Sequence, residues 1–584
     1  MLPVKPARWM LRPVDDDTLV DRLARELNSL PTALARTLAV RGIRTFEDAR
    51  RFFRPSLERL HDPYGMHGMD RAAERLARAI TTGERVLVYG DYDVDGTTST
   101  ALMTGFLREQ GVDASYFVPN RFVNGYGLCE AGFDVAVERG ATLVVALDCG
   151  ITAHEPAKYA KKLGLDLVIC DHHKTDDTIP DAYAVIDPKQ PACSYPFKEL
   201  TGCGLGFKLA QATLTALGKD PAEAFGMLDL VAVSTAADIV SLVGENRDLM
   251  AAGLERLRAN PRPGLDALAR IALADLSGMS TEGIVFSLGP RINAAGRLGD
   301  AGKAVELLLA QTREEAERWA AELEACNVKR RTLDQDIQED AATMAADQLA
   351  KWAEHSVVVY RKDWNLGVIG IVASRLVERF YRPAIMMCGV ESGVVKGSAR
   401  SMGGISIYNA LKECEDLLEG FGGHDFAAGL TLREENVPAF QRRFDAAVGR
   451  ATTADTWVVT HEADALLDLD EINGRFWAIL RQFGPHGPEN QTPVFQGTDL
   501  EVVGVPQQVG RERQHLKFYV RQRGGRGDVM EVIAYRMKHR LADVAASARE
   551  GRPLDLLFTV EENAYRGQRS LQLKAKDVRL TGCA

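Results

Sequence analysis

Three carboxylates on alternate residues, Asp91, Asp93 and Asp95, stand between the apolar run Val86-Leu87-Val88-Tyr89 and the hydroxyl-rich stretch Thr97-Thr98-Ser99-Thr100. The apolar run reads as a buried β-strand. The stretch after the acids reads as the opening of a helix over about 98–110, its hydroxyls placed to cap free N–H groups. Like charges this close repel one another, so a chain that sets them at a strand's end calls for a divalent cation to neutralise them. An EF-hand loop begins with the same Asp-x-Asp-x-Asp-Gly pattern. It also needs a bidentate Glu at its twelfth position, which here is Leu102, and a preceding helix, where this chain has a strand.

The elements around these acids alternate: strands over 85–90, 114–118, 142–147 and 166–170, helices over 98–110, 130–139 and 153–163. Such alternation implies a multidomain α/β protein whose parallel sheet is wound on both faces, with its crevice at the carboxyl ends of the strands. Polar residues fall at those ends. Asp148-Cys149-Gly150 follows one strand and Asp171-His172-His173 another, and Asp238 in Ala236-Ala237-Asp238-Ile239-Val240 is a fourth candidate. A single Asp or His there is more often a cap or a satisfied core group; several converging on one sheet edge point to a site. Cys149 beside Asp148 lacks the partner spacing of a Cys–His pair and is expected to be inert.

At 584 residues and 46% hydrophobic, the chain has material for three or four domains. Nine cysteines without a Cys-x-x-Cys pair fit a reducing cytosol rather than a disulfide framework. No apolar run approaches a membrane span, and no apolar leader follows Met1, so a soluble cytoplasmic protein without membrane contact is expected. The net charge of −10 taken alone argues against a polyanion partner. Between Gly510 and Arg540, however, nine Lys and Arg face three Asp and Glu, a local balance of +6.

The ordered set Asp91–Gly96, Asp148–Gly150, Asp171–His173 and Asp238 resembles the four core motifs of the DHH phosphoesterase superfamily. Within it, the chain is similar to the RecJ family of single-stranded-DNA-specific exonucleases. The finer matches are Pro119-Asn120-Arg121 with Gly125-Tyr126-Gly127-Leu128, Gly289-Pro290-Arg291 through Arg297, Gly397-Ser398-Ala399-Arg400-Ser401, and Gly422-Gly423-His424 through Gly429. Two departures stand out: Asn365 after Trp364, where the family tends to have His, and Ser241, where it often has Pro.

The resemblance implies an N-terminal helical region (1–75), a DHH catalytic domain (76–305), long connecting helices (306–353), a DHHA1 domain (354–455) and a linker with an OB-fold barrel (456–584). It implies two ions, Mn²⁺ or Mg²⁺, the metals that carboxylates with imidazole suit. Asp148 would bridge them, Asp93 and Asp95 would serve one each, and His172 and Asp238 would complete the second. Asp91 would be a ligand or an orienting neighbour, and His173 would meet the substrate phosphate. Arg121, Arg291, Arg297, Ser398, Arg400 and His424 form the expected substrate-binding set, Ser398 and Arg400 supplying a hydroxyl and a guanidinium suited to phosphate. In the barrel, Arg511, Arg513, Lys517, Arg521 and Arg523 with Phe518 and Tyr519 mix cations and π-faces as single-strand binders do.

The expected activity is thus 5′-to-3′ hydrolysis of single-stranded DNA to 5′-mononucleotides, in recombination and repair. A monomer is expected, with single-stranded-DNA-binding protein and a helicase as further partners. A phosphodiesterase for short oligoribonucleotides or cyclic dinucleotides accounts for the core motifs but gives no reason for a basic barrel. A non-catalytic DNA-binding scaffold would have lost metal ligands that are all present here.

Overall fold

The computed structural model describes residues 7–391, 393–525, 527–565 and 568–581. It divides into two compact units, one of Glu58–Val240 and Gly244–Trp457, the other of Met1–Leu57, Ser241–Val243 and Val458–Ala584. The chain opens with β1 (Arg8–Leu11) and helices α1 (Asp17–Glu26), α2 (Thr32–Val40) and α3 (Phe46–Phe53). Asp16 caps α1, and Thr45 with Asp48 forms a capping box on α3.

After α4 (Met69–Thr82) come β2 (Val86–Tyr89), α5 (Val94–Glu109), β3 (Ala114–Phe117), α6 (Glu130–Glu138), β4 (Leu143–Leu147), α7 (His154–Lys162), β5 (Asp166–Cys170) and β6 (Ala184–Ile186). The strands form a parallel sheet in the order β3-β2-β4-β5-β6. Every residue of β2 and β4 is buried, as strands covered on both faces must be.

Helix α5 begins at Val94, four residues before the expected start. Its cap is Asp93, whose Oδ1 accepts the Gly96 N–H at 3.1 Å. The hydroxyls of Thr97, Thr98, Ser99 and Thr100 do not cap it. Each donates back to the carbonyl four residues earlier, at 2.6–2.7 Å, because the helix has already formed beneath them.

Helices α8 (Gly202–Ala216), α9 (Leu228–Ala237), α10 (Gly244–Ala259), α11 (Pro263–Ile271), the single turn α12 (Thr281–Gly283), α13 (Gly289–Arg297) and α14 (Gly302–Leu309) complete this body. A π-helical turn, Ile284–Leu288, leads into α13. The connecting segment is one helix of 39 residues, α15 (Arg313–Lys351), opened by a Thr312–Glu315 capping box. Continuous helices α4 and α14 run through the boundaries expected at 75 and 305.

A second α/β layer follows: β7 (Val357–Tyr360), α16 (Leu366–Phe380), β8 (Ala384–Glu391), β9 (Val394–Arg400), α17 (Ile407–Lys412), β10 (Leu418–Gly423), β11 (Ala427–Arg433) and α18 (Val437–Arg450). Its sheet order is β10-β11-β9-β8-β7. Asn365 caps α16, its side chain accepting from Gly367 N–H at 2.9 Å, so the departure at this position is spent on a helix start.

In the other unit, β12 (Thr460–Ala463) pairs in parallel with β1. Then come β13 (Ala465–Leu466), α19 (Gly474–Leu480), β14 (Phe495–Val509), β15 (His515–Gln522), β16 (Met530–Ala534), α20 (Leu541–Glu550), β17 (Leu554–Tyr565) and β18 (Gln568–Leu580). The order β13-β14-β15-β16-β18-β17, closed by β14 against β17, is the small barrel. The N-terminal helices do not stand alone. Leu23, Leu34 and Leu38 share one core with Phe495, Phe518 and Phe558 of the barrel, since three short helices cannot bury their apolar faces against each other. Among the described residues no helix is long and apolar enough to cross a membrane.

Strand β15 alternates inward and outward, which corrects one expectation: Phe518 is fully buried in the barrel core and offers no ring to a nucleic acid, whereas Tyr519 beside it points outward, 38% exposed. Phe518→Ala should therefore destabilise this unit by about 3–5 kcal/mol, measured by chemical denaturation. A DNA-stacking ring would instead give unchanged stability with weakened binding.

Candidate active site

The ends of four elements bring the acids together. Asp91 lies just beyond β2, Asp148 follows β4 directly, Asp171 follows β5, and Asp238 ends α9. Potential ligand atoms of Asp91, Asp93 and Asp148 lie within 4.8 Å of one another; those of Asp95, His172 and Asp238 form a second such group, and those of Asp148, His172 and His173 a third. His172 Nε2 is 3.1 Å from Asp148 Oδ1 and 3.7 Å from both Asp95 Oδ2 and Asp238 Oδ2.

Burial, then the neighbouring carboxylates, pushes the proton affinity of Asp148 and Asp91 well above the ordinary carboxylate range; Asp238 is pushed up to about 8 by burial, Asp95 and Asp93. Among the described residues Asp91 Oδ1, itself buried, has no hydrogen-bond partner. Acids this strongly desolvated and opposed, one with an orphaned oxygen, fit a pair of divalent cations. Asp95 stands apart: Gly202 and Cys203 N–H, at the start of α8, donate to it at 2.7 and 2.8 Å, and Ser234 Oγ at 2.7 Å. Gly202 is required there, because a Cβ would sit 2.6 Å from that of Asp148.

Asp171, to which the sequence reading assigned no role of its own, organises the loop. Its carboxylate accepts Ile151 N–H at 2.9 Å and His172 N–H at 2.8 Å, and lies 2.7 Å from His173 Nδ1. Burial alone would lower the basicity of His173, but the hydrogen bond and charge of Asp171 outweigh it and raise the imidazole to about 9. His173 Nε2 is 3.2 Å from Tyr126 Oη, a second group the sequence reading left out. Cys149 is buried and its thiol is pushed well up by burial, as an inert cysteine should be.

Beside the acids runs a band of arginines. The Arg121 guanidinium lies 4.2 Å over the Tyr92 ring. Arg297 Nη1 donates to Gly367 O at 3.1 Å, and Arg400 Nη1 to Ser398 Oγ at 3.0 Å. Arg297 is brought down to about 10 by burial and by Arg121 and Arg330, with Arg400 adding to the effect. Among the described residues no carboxylate lies within ion-pair distance of Arg121, Arg297 or Arg400, and Arg121 Nε is buried without a partner. Arg291 has a carboxylate beside it, its Nε lying 2.5 Å from Glu324 Oε2 of α15. His424 lies on the exposed turn after β10, three residues before Ala427, which pairs with Arg400. Arg330, buried on α15, bonded to Asn327 at 2.6 Å and paired with Asp334 at 3.4 Å, stands near the band unforeseen, because the sequence pattern of α15 reads as a solvated face.

In the barrel, Lys517 pairs with Glu531 at 2.8 Å and Arg521 with Glu501 at 2.9 Å, while Arg523 lies 3.8 Å from Asp499. Arg511 and Arg513 are exposed, with no acidic partner among the described residues.

Residues 85–235 match the model of the DHH family, N-terminal domain, residues 353–450 the DHHA1 domain and residues 463–577 the RecJ OB domain. The chain is 39% identical over 525 residues to a single-stranded-DNA-specific exonuclease RecJ of Bacillus subtilis, covering 89% of this chain and 65% of that relative's length. It is 37% identical over 579 residues to the Salmonella typhimurium RecJ, covering 96% of this chain and 97% of the relative. The crystal structure of Thermus thermophilus RecJ in complex with Mn²⁺ superposes with a TM-score of 0.82 at 29% identity, over 99% of this chain and 80% of that one. Sequence, fold and the ordered motifs at the strand ends agree: the chain belongs to the RecJ family of single-stranded-DNA-specific exonucleases.

Proposed function

We propose that the protein hydrolyses single-stranded DNA stepwise from its 5′ end, releasing 5′-mononucleotides. The observation that carries this reading is a cluster of five buried or half-buried carboxylates and His172 at one sheet edge, set beside Arg121, Arg297 and Arg400, which have no carboxylate of their own among the described residues. Asp91, Asp93 and Asp148 would hold one Mn²⁺ or Mg²⁺; Asp95, His172 and Asp238, with Asp148 shared, would hold the other. When bound, the two ions supply a water acidic enough to attack near neutral pH and neutralise charge gathering on phosphorus.

The chain's own groups do the rest. His173, kept protonated by Asp171, turns the N–H of its Nε2, which lies 3.2 Å from Tyr126 Oη, to a phosphate oxygen, and Asp171 fixes the ring that carries it. Arg121, Arg297, Ser398 and Arg400 receive the terminal 5′-phosphate, which carries more negative charge than an internal diester and matches the forked donors of guanidinium. Arg291, already committed to Glu324, supports this band rather than binding phosphate. Arg511 and Arg513 on the barrel add sequence-independent attraction to the backbone.

Asp148→Ala should abolish hydrolysis while the protein stays folded, because the one carboxylate shared between both ligand groups is gone. More than about a tenth of the wild-type rate on end-labelled single-stranded DNA with Mn²⁺ would contradict a two-ion site.

Arg400→Ala should remove most of the preference for a 5′-phosphorylated over a 5′-hydroxyl strand, a preference on the order of 1.5–3 kcal/mol for a charged hydrogen bond. The comparison is kcat/KM for both strands in both proteins at one salt concentration. Equal losses on the two strands would make Arg400 an ordinary backbone contact.

Asp171→Asn should bring the titration of His173 down from about 9, since burial is then opposed only by the more distant charges of Asp238 and Asp95. An NMR titration of the chelated protein reads this directly, and an imidazole still titrating at about 9 would show that another group holds the charge.

A further inference from the structure

The parallel strands end along one line, and each of the first four carries a group already described: Arg121 beyond β3, Asp91–Asp95 beyond β2, Asp148 beyond β4, and His172 and His173 beyond β5. The fifth, β6, ends in Asp187-Pro188-Lys189, which the mechanism has not used. Asp187 is buried, and its Oδ1 accepts the Lys189 N–H at 2.7 Å while its carbonyl accepts the Gln190 N–H at 3.2 Å. Gln190 Nε2 donates to Val185 O at 3.0 Å and closes the turn onto the strand. The backbone of Lys189 is therefore fixed at the sheet edge, while its side chain, 31% exposed, is left to reach. Among the described residues the one carboxylate within ion-pair distance of it is Glu199, with Nζ to Oε2 at 3.9 Å, too long for a hydrogen bond. Ile186, the last residue of β6, accepts the Asp171 N–H at 3.0 Å, so the turn that carries Lys189 starts beside the Asp171-His172-His173 loop.

Strands in a sheet lie about 4.8 Å apart, so four steps from β3 to β6 span roughly 19 Å, with the acids in the middle. On the reading above, the terminal phosphate sits at the Arg121 end and the scissile phosphate over the acids. The strand is then drawn toward β6. We infer that Lys189 binds the first phosphate on the 3′ side of the scissile bond, so that the retained strand leaves across the end of β6. A lysine suits this task, being a compact charge on a flexible stem that can follow a phosphate whose position shifts at each step. Lys189 is a substrate-binding residue here, with no part in the bond-breaking step.

The inference rests on the proposed function and has a test that separates the two. A 5′-phosphorylated dinucleotide carries only the terminal and the scissile phosphates, whereas a 5′-phosphorylated trinucleotide adds the one assigned to Lys189. Hydrolysis of the first bond is followed as kcat/KM for both in wild type, Lys189→Met, Lys189→Arg and Glu199→Gln, with Mn²⁺ at one low salt concentration. The wild type should prefer the trinucleotide. Lys189→Met should shrink the trinucleotide-to-dinucleotide ratio by at least about tenfold, Lys189→Arg should keep most of it, and Glu199→Gln should keep or increase it. An unchanged ratio in Lys189→Met, or no trinucleotide preference in the wild type, overturns the assignment. So does an equal collapse in Glu199→Gln, which would make Lys189 a fold contact. A wild type inactive on both oligonucleotides overturns the exonuclease reading itself.

Discussion

The carboxylates buried within reach of one another at the ends of parallel strands set the terms for everything around them. Desolvation and mutual repulsion both favour protonation, so the apo fold must hold them apart from their own relaxation. It does so with rigid surroundings. β2 and β4 are buried at every residue, and two positions keep left-handed backbone that a side chain disfavours: Asp148 at φ 61° and Ile239, next to Asp238, also at φ 61°. Strain of this kind is worth about 1–3 kcal/mol per residue and persists only where packing over-determines the conformation. Asp148 meets that condition through the close approach of Gly202 and its own N–H bond to Cys170 O at 2.9 Å.

The three acids of Asp91-Tyr92-Asp93-Val94-Asp95 look equivalent in sequence and are not equivalent in space. Asp91 has an oxygen with no partner among the described residues, Asp93 spends one on the cap of α5, and Asp95 receives two backbone N–H groups from the start of α8. A helix N-terminus favours a carboxylate charge, so Asp95 ties the ligand cluster to the helix behind it. Asp171 plays the matching part on the other side, its two oxygens divided among Ile151, His172 and His173. Two acids therefore build the loops on which the others converge.

The parallel sheet and the convergence at its edge were legible because buried parallel strands carry near-continuous apolar runs, and the polar residues stop them abruptly. Phe518 was misread because an aromatic among cations looks the same facing in or out. Only the register of β15 decides that, and the register depends on which partner strand it meets. The N-terminal helices were read as separate because their pattern shows an apolar face without showing what covers it; the cover is more than four hundred residues away in the chain. Arg330 and Asp171 escaped for a related reason. One lies on a helix whose composition reads as solvated, and the other's importance rests on hydrogen bonds that no spacing encodes.

The cations of the chain fall into two electrostatic kinds, and the difference assigns them different work. Lys517 and Arg521 on the barrel are surface ion pairs, worth about 0–1 kcal/mol each, so exchanging a carboxylate for a DNA phosphate changes little and depends strongly on salt. Arg297 and Arg400 are half-buried with no carboxylate at ion-pair distance among the described residues, and desolvation lowers the proton affinity of both. Their charge is a liability in the free protein, and an arriving anion relieves it. The relief grows with the charge of the anion, so on the proposed function such arginines would favour a terminal phosphomonoester over an internal diester more than paired surface cations would. On the proposed function, end recognition would fall to Arg121, Arg297 and Arg400, and general affinity to barrel cations such as Arg511 and Arg513, exposed and without an acidic partner among the described residues.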